Sequence, residues 1–143
     1  MPEKETIITK LERGRAEFAY DKVKEVVETL KDKKEELSKY RSYTRKIPQM
    51  IISNGLGQTL AFIFSKKETG NAYDLIYTHL IEYLKKSKST ARIKMPENKN
   101  DLTKWVISLD SYQYRYVTEE ILAFLNWLKK FAEGMIEIEE GGK

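Results

Sequence analysis

The sequence predicts an all-α protein, a compact single-domain bundle of about six helices. Three observations lead there. Apolar residues recur at steps of three and four along most of the 143 residues, the spacing that lines one face of a helix. No stretch alternates apolar and polar residues, and no tight turn joins two β-branched runs, so strands lack their signature. Residues that favour helix starts, Thr6, Asn71 and Asp110, stand ahead of the periodic stretches.

Thr6 opens the first helix. Its apolar positions Ile7, Ile8, Leu11, Ala16, Phe18, Ala19, Val23, Val26, Val27 and Leu30 predict one long buried stripe. Residues 31–36 are charged and read either as a break or as a solvated turn. Leu37, Tyr40, Tyr43 and Ile47 continue a helical face, with Arg41, Arg45 and Lys46 on the rest of that helix. Pro48 disfavours a helical Ile47, so a kink or a fresh start is expected there.

Residues 47–64, IPQMIISNGLGQTLAFIF, form the most apolar run and contain no Lys, Arg, Asp or Glu. Polar residues and glycines interrupt it, and a bilayer span needs about 20 mostly apolar residues, so a buried element fits better. Asn54-Gly55 punctuates its centre. The expectation is a dry corner between helical segments at roughly 48–53 and 57–66, built on Pro48, Asn54, Gly55 and Gly57, onto which the rest of the chain packs. Leu60, Phe62, Ile63 and Phe64 read as a helix buried nearly all round, ended by Gly70.

Asn71 caps the next helix, with Asp74 three residues on and a stripe of Tyr73, Ile76, Tyr77, Leu80 and Leu84. From Lys85 to Asn100 the periodicity fails, and a basic surface loop is expected. Leu102, Trp105, Val106 and Leu109 form a short helix. Asp110 caps the last one, with Gln113 in the capping-box position, and Val117, Ile121, Phe124, Leu128 and Phe131 mark its face. Gly134 is expected to stop it. No linker divides the chain, so residues 1–143 read as one helical domain, with 134–143 an acidic tail that need not be ordered.

Composition narrows the chemistry. Cysteine is absent, which excludes disulfides, thiolate catalysis and Cys-ligated zinc. His79 is the only histidine, and metal sites and nucleophilic triads need several convergent groups; it reads as a packing or surface residue. Glu119 and Glu120 are adjacent, so they point about 100° apart on a helix and read as a solvated face. No Glu-x-x-His motif suggests a di-metal bundle. Asn54-Gly55-Leu56-Gly57-Gln58 lacks the lysine and the preceding strand of a phosphate loop. It reads as a helix-to-helix corner needing positive φ, whose backbone amides remain able to meet a partner or an RNA phosphate. No cofactor or metal is expected. The charged first ten residues lack the apolar region of a signal peptide, and a cytoplasmic protein is the expectation.

Net charge is +4 from 26 basic and 22 acidic side chains, but it is localised. Residues 31–46 hold seven basic groups against three acidic, residues 85–99 six against one, and residues 133–143 four glutamates against one lysine. Lys39, Arg41, Arg45 and Lys46 interleave with Tyr40 and Tyr43; Lys85, Lys86, Lys88, Arg92 and Lys94 follow closely. Such patches can neutralise a phosphate backbone without reading sequence. Ordinary Lys-rich solubility is the competing reading.

Three blocks of sequence resemble one family. They are Arg15-Ala16-x-Phe18-Ala19, Lys46-x-Pro48-x-Met50-Ile51-x-x-Asn54-Gly55-Leu56-Gly57-Gln58-x-Leu60-Ala61-Phe62, and Thr118-Glu119-Glu120-x-Leu122-Ala123-Phe124-Leu125-x-Trp127-Leu128-Lys129-Lys130-Phe131-Ala132. In order and spacing they are similar to the small α-helical subunit of the Cmr complex, the type III-B CRISPR RNA-guided effector. The loop at 85–100 matches no motif of it. The resemblance implies a non-enzymatic subunit that stacks head to tail with copies of itself. Such a filament lies beside the subunits that hold the guide RNA and helps to form the target channel. It gives the basic patches a job, contacting guide and target RNA phosphates, and implies other Cmr subunits as partners and no membrane.

Three other readings remain open at this point. One is a helical adaptor that binds only protein. Another is a nucleic-acid enzyme, against which the lack of cysteine and the single histidine argue. The third is a helix-turn-helix regulator, for which no short recognition helix after a 3–4-residue turn is found.

Overall fold

A computed structural model describes residues 6–86 and 93–137. It holds six α-helices in chain order: α1 (Ile7–Thr29), α2 (Lys34–Asn54), α3 (Leu56–Lys66), α4 (Ala72–Lys86), α5 (Leu102–Ile107) and α6 (Ser111–Met135). No strand occurs among the described residues. No helix among them is long and apolar enough to cross a membrane.

Local capping sets the helix starts. The Thr6 hydroxyl accepts the Thr9 N–H at 3.0 Å. Asn71 Oδ1 accepts the Asp74 N–H at 2.8 Å. At α6, Asp110 accepts the Gln113 N–H and the Gln113 side chain accepts the Asp110 N–H, a complete capping box. The chain leaves α1 at Leu30 and re-enters a helix at Lys34, so the charged stretch is a genuine break.

The core is organised along the α1–α6 seam rather than around the 47–64 corner, because α1 and α6 are the two longest helices and lie against each other. Ala19, Val23 and Val26 of α1, with the capping Leu30, share one buried core with Val117, Ile121, Phe124, Leu125, Leu128 and Ala132 of α6. Phe18, Tyr83 and Phe124 form an aromatic centre, with Tyr83 and Phe124 stacked at 4.2 Å. α2 packs on α4 and α6, and α3 closes one end against α2, α4 and α5.

Several local expectations give way to packing. α2 runs unbroken through Pro48 from Lys34 to Asn54. The proline removes its own N–H bond to the Thr44 carbonyl, yet Tyr40, Thr44, Ile47 and Ile51 are buried along one face and hold the helix on both sides of it. α3 is buried only along Leu56, Thr59, Leu60 and Ile63. Phe64 is 48% exposed and Ile52, just before the corner, 68% exposed, so the corner is not dry. α3 stops at Lys66 and Gly70 (φ +81°) serves the following turn. α4 extends to Lys86, shortening the basic loop. α6 passes through Gly134 to Met135, and Ile136 is buried; residues 138–143 of the acidic tail lie outside the described residues.

Candidate functional site

The corner depends on two glycines with different roles. Gly55 sits at φ +89° between α2 and α3, a conformation that costs any residue with a Cβ. Gly57 has ordinary helical backbone but receives α6: its N–H donates to the Tyr114 hydroxyl at 2.8 Å. A Cβ at Gly57 would lie 3.4 Å from that oxygen. The amide that the sequence left available for a phosphate is therefore engaged by Tyr114. Asn54 ends α2 with an exposed side chain, and Pro48 is half-buried.

The first basic patch lies on α2 and is partly neutralised by its neighbours. Both Nε and Nη2 of Arg45 donate to Glu133 Oε2, at 2.9 and 2.7 Å, and Arg41 Nη2 donates to the Glu133 carbonyl at 3.4 Å. The Arg45 guanidinium holds the Glu133 carboxyl below its ordinary value. Two cations thus meet the last turn of α6, where the helix dipole favours them. Lys39 Nζ lies 3.3 Å from Glu35 and 3.6 Å from Glu36. Lys46 is exposed and has no ion pair among the described residues. The interleaved tyrosines do not face solvent as a base-stacking platform. Tyr40 is buried, and Tyr43 stacks on Tyr73 at 4.0 Å.

The second patch lies where α4 ends. Lys85 is half-buried, and its ammonium donates to the Glu97 carbonyl and Asn100 Oδ1 at 3.0 and 2.9 Å. With the Met95 N–H bonded to the Leu84 carbonyl and Met95 buried, this folds the described end of the loop back onto α4. Lys86 and Lys94 are exposed. Lys88 and Arg92 lie outside the described residues. A groove of about 450 Å³ at this end is lined by Lys67, Lys85 and Lys86 and equally by Asp74, Glu82 and Glu97. Lys67 was missed by the sequence reading: it lies 18 positions before Lys85, and no spacing links the two. Its ammonium sits over the Phe64 and Tyr77 rings, 5.4 Å from each, and 3.8 Å from Asp74.

Two buried polar clusters complete the inventory. The single histidine, His79, is buried, and its Nδ1 shares a 2.9 Å hydrogen bond with the Tyr40 hydroxyl. Burial pushes its pKa down to about 4, with Lys22 acting the same way and Glu82 opposing. It packs in the core. Glu120 corrects the solvated-face reading of Glu119-Glu120. Glu119 is exposed, but Glu120 is only 5% exposed. Its Oε2 takes Arg15 Nη2 at 2.7 Å and its Oε1 takes the Tyr83 hydroxyl at 2.8 Å. Arg15 also reaches Glu12, whose other oxygen accepts the Trp127 indole N–H at 2.8 Å. A signal was present: Glu120 falls three residues after Val117 and four before Phe124, on the buried stripe itself, where a carboxylate requires a cation. Among the described residues no three His, Asp or Glu side chains converge as metal ligands.

Comparisons with known proteins agree on one family. The model of the Cas_Cmr5 family, described as a CRISPR-associated protein, matches residues 11–135. The chain is 29% identical over 123 residues to the CRISPR system Cmr subunit Cmr5 of Thermus thermophilus, covering 85% of this chain and 92% of the relative. It is also similar to the crystal structure of a Cmr5 family protein from the same organism. There the TM-score is 0.67 at 28% identity, covering 88% of this chain and 97% of the other.

Proposed function

The chain belongs to the Cas_Cmr5 family of CRISPR-associated proteins, and from that premise we propose that it is a non-catalytic, cytoplasmic subunit of a Cmr RNA-guided complex. It stacks with copies of itself and touches the guide and target RNA through phosphate contacts. The observation that carries this reading is the family match across residues 11–135, which takes in all six helices in whole or in part. The burial of the single histidine supports a subunit without chemistry of its own.

In this reading the phosphate contacts fall unevenly over the nine basic candidates. Lys46, Lys86 and Lys94 are exposed and carry the contact. Lys67 and Lys85 contribute less, because Asp74 pairs with the one and the Glu97 carbonyl and Asn100 hold the other. Lys39, Arg41 and Arg45 contribute less, because Glu35, Glu36 and Glu133 already share their charge. Lys88 and Arg92 remain candidates from charge and position in the chain alone. Such contacts screen phosphates without reading bases. Cooperativity arises from stacking, so a lone copy binds RNA weakly.

A second reading, a helical adaptor with no RNA contact, is favoured by the engagement of Arg41 and Arg45 by Glu133. One experiment separates the two: recovery of a tagged copy from its native cells, with and without RNase. Several Cmr proteins together with a short discrete RNA support the RNA-complex subunit. Protein partners without RNA support the adaptor. Metal-dependent RNA cleavage by the purified chain would overturn both.

A further inference from the structure

The corner requires glycine at position 55, and that requirement makes Asn54 chemically labile. Gly55 holds φ +89° and ψ 161°, a backbone that a residue with a Cβ adopts only under strain. Glycine also leaves the preceding asparagine open to attack by its own backbone, because no side chain shields the amide nitrogen. Asn54 is the one asparagine followed by glycine; Asn71, Asn98, Asn100 and Asn126 precede Ala72, Lys99, Asp101 and Trp127. The Asn54 side chain is exposed, so water reaches it.

The reaction balances with water alone. The Gly55 nitrogen gives up its proton to solvent base and bonds to Asn54 Cγ. The Cγ–Nδ2 bond breaks and ammonia leaves. Water then opens the five-membered imide at either carbonyl, giving aspartate or isoaspartate. Two features of the native structure oppose the first bond. The Gly55 N–H donates to the Ile51 carbonyl at 2.8 Å, which retains its proton. Asn54 is the last residue of α2, and a helical backbone turns the next nitrogen away from Cγ. Both restraints are lost together when the last turn of α2 opens. Tyr114 holds that turn from outside: its hydroxyl accepts the Gly57 N–H at 2.8 Å and lies 3.7 Å from where a Cβ on Gly55 would stand.

We propose that Asn54 is a spontaneous deamidation site controlled by the corner, reacting only through the opened last turn of α2 and then damaging the corner irreversibly. Isoaspartate inserts a methylene into the backbone between α2 and α3. Either product places a negative charge at the C-terminal end of α2, where the helix dipole disfavours it. The inference stands independently of the RNA and adaptor readings.

Ageing the purified chain tests it, with peptide mapping by mass spectrometry to locate each conversion and isoaspartyl methyltransferase to label isoaspartate. In denaturing guanidinium, Asn54 should convert ahead of Asn71, Asn98, Asn100 and Asn126; another asparagine leading would overturn the proposal. In the native chain the same conversion should be slower by at least about tenfold, because the open helix end is a minor state. Equal native and denatured rates would mean that the fold exerts no control. Tyr114→Phe should speed the native conversion by about fivefold, the ratio that one ordinary hydrogen bond corresponds to, and leave the denatured rate unchanged. A native rate indifferent to Tyr114 sinks the corner as the controlling element. Native chains carrying isoaspartate, separated by ion exchange, should melt below unconverted ones, and an unchanged melt overturns the claim of damage.

Discussion

The Arg15 guanidinium and the Glu120 carboxylate meet at 2.7 Å inside the α1–α6 seam, joined by the Tyr83 hydroxyl from α4. Three helices are thus tied at one nearly buried point. Arg15→Ala strands the nearly buried Glu120 carboxylate and should cost about 3 kcal/mol, whereas Glu120→Ala leaves Arg15 paired with Glu12 and should cost less. The double variant Arg15→Met/Glu120→Leu should lose much less than the sum, because it leaves no orphan charge. Tyr83→Phe should cost about 1 kcal/mol, the net worth of a typical hydrogen bond. Urea unfolding of the four proteins checks this; single variants that lose less than about 1 kcal/mol would contradict the tie.

His79 makes stability depend on pH with a defined sign. Its folded pKa is depressed to about 4 from an ordinary 6.5, first by burial. The unfolded chain therefore binds the proton more readily than the native one. The neutral-histidine contribution is fully present above about pH 6.5, shrinks as pH falls, and is gone below about pH 4. The total is about 3 kcal/mol, from 1.36 kcal/mol per pKa unit. Subtracting the unfolding free energy of His79→Gln from that of the wild type at each pH isolates the effect, since glutamine does not titrate. A difference that stays flat between pH 7 and 4 would contradict the burial of a neutral imidazole.

The glycines of the corner should fail for different reasons. Gly55→Ala places a Cβ at φ +89°, ψ 161°, a region only glycine adopts readily, and should cost about 1–3 kcal/mol through backbone strain, whatever surrounds it. Gly57→Ala meets the Tyr114 hydroxyl, so its penalty should be smaller in a Tyr114→Phe background. Tyr114→Phe itself should cost about 1 kcal/mol by leaving the Gly57 N–H without its partner. A double-mutant cycle reads the Gly57–Tyr114 coupling. Coupling between Gly55 and Tyr114 of the same size would mean that contact, not φ, decides both positions.

These tests follow the line between what local chemistry reveals and what it hides. The caps at Thr6, Asn71 and Asp110 were legible because a cap is settled within three residues. So was the need for positive φ at Gly55. The buried stripes of α1 and α6 followed from periodicity, while the charged stretch before α2 left a break and a solvated turn equally open. Pro48 starts no new helix because its cost is local while the packing that offsets it, through Tyr40, Thr44, Ile47 and Ile51, is tertiary. The exposure of Phe64 was hidden for the same reason: an apolar side chain does not state whether a neighbour covers it. Arg45 reads as a free cation in sequence, because Glu133 lies 88 positions away. Lys67 reaches the groove at the end of α4 only once α3 and α4 are packed together.

The basic residues give the last prediction. Each lysine that neutralises an RNA phosphate releases counterions, so the log of affinity falls with the log of salt by roughly 0.7–0.9 per contact. Lys46, Lys86 and Lys94 are exposed, whereas the Arg45 guanidinium gives two N–H groups to Glu133. In the assembled complex, changing Lys46, Lys86 and Lys94 together to alanine should make the salt slope of target RNA binding shallower by about two per copy in contact with the RNA. Arg45→Ala should change that slope less. It should also cost at most about 1 kcal/mol of stability, because the arginine side chain is well exposed and surface ion pairs contribute little. The ranking is the informative quantity, since both sets of variants lose positive charge and a nonspecific field effect would follow charge alone. If Arg45→Ala flattened the slope as much per charge as the lysines, the Glu133 contact would not be withholding that arginine. The whole α2 face would then belong to the RNA surface.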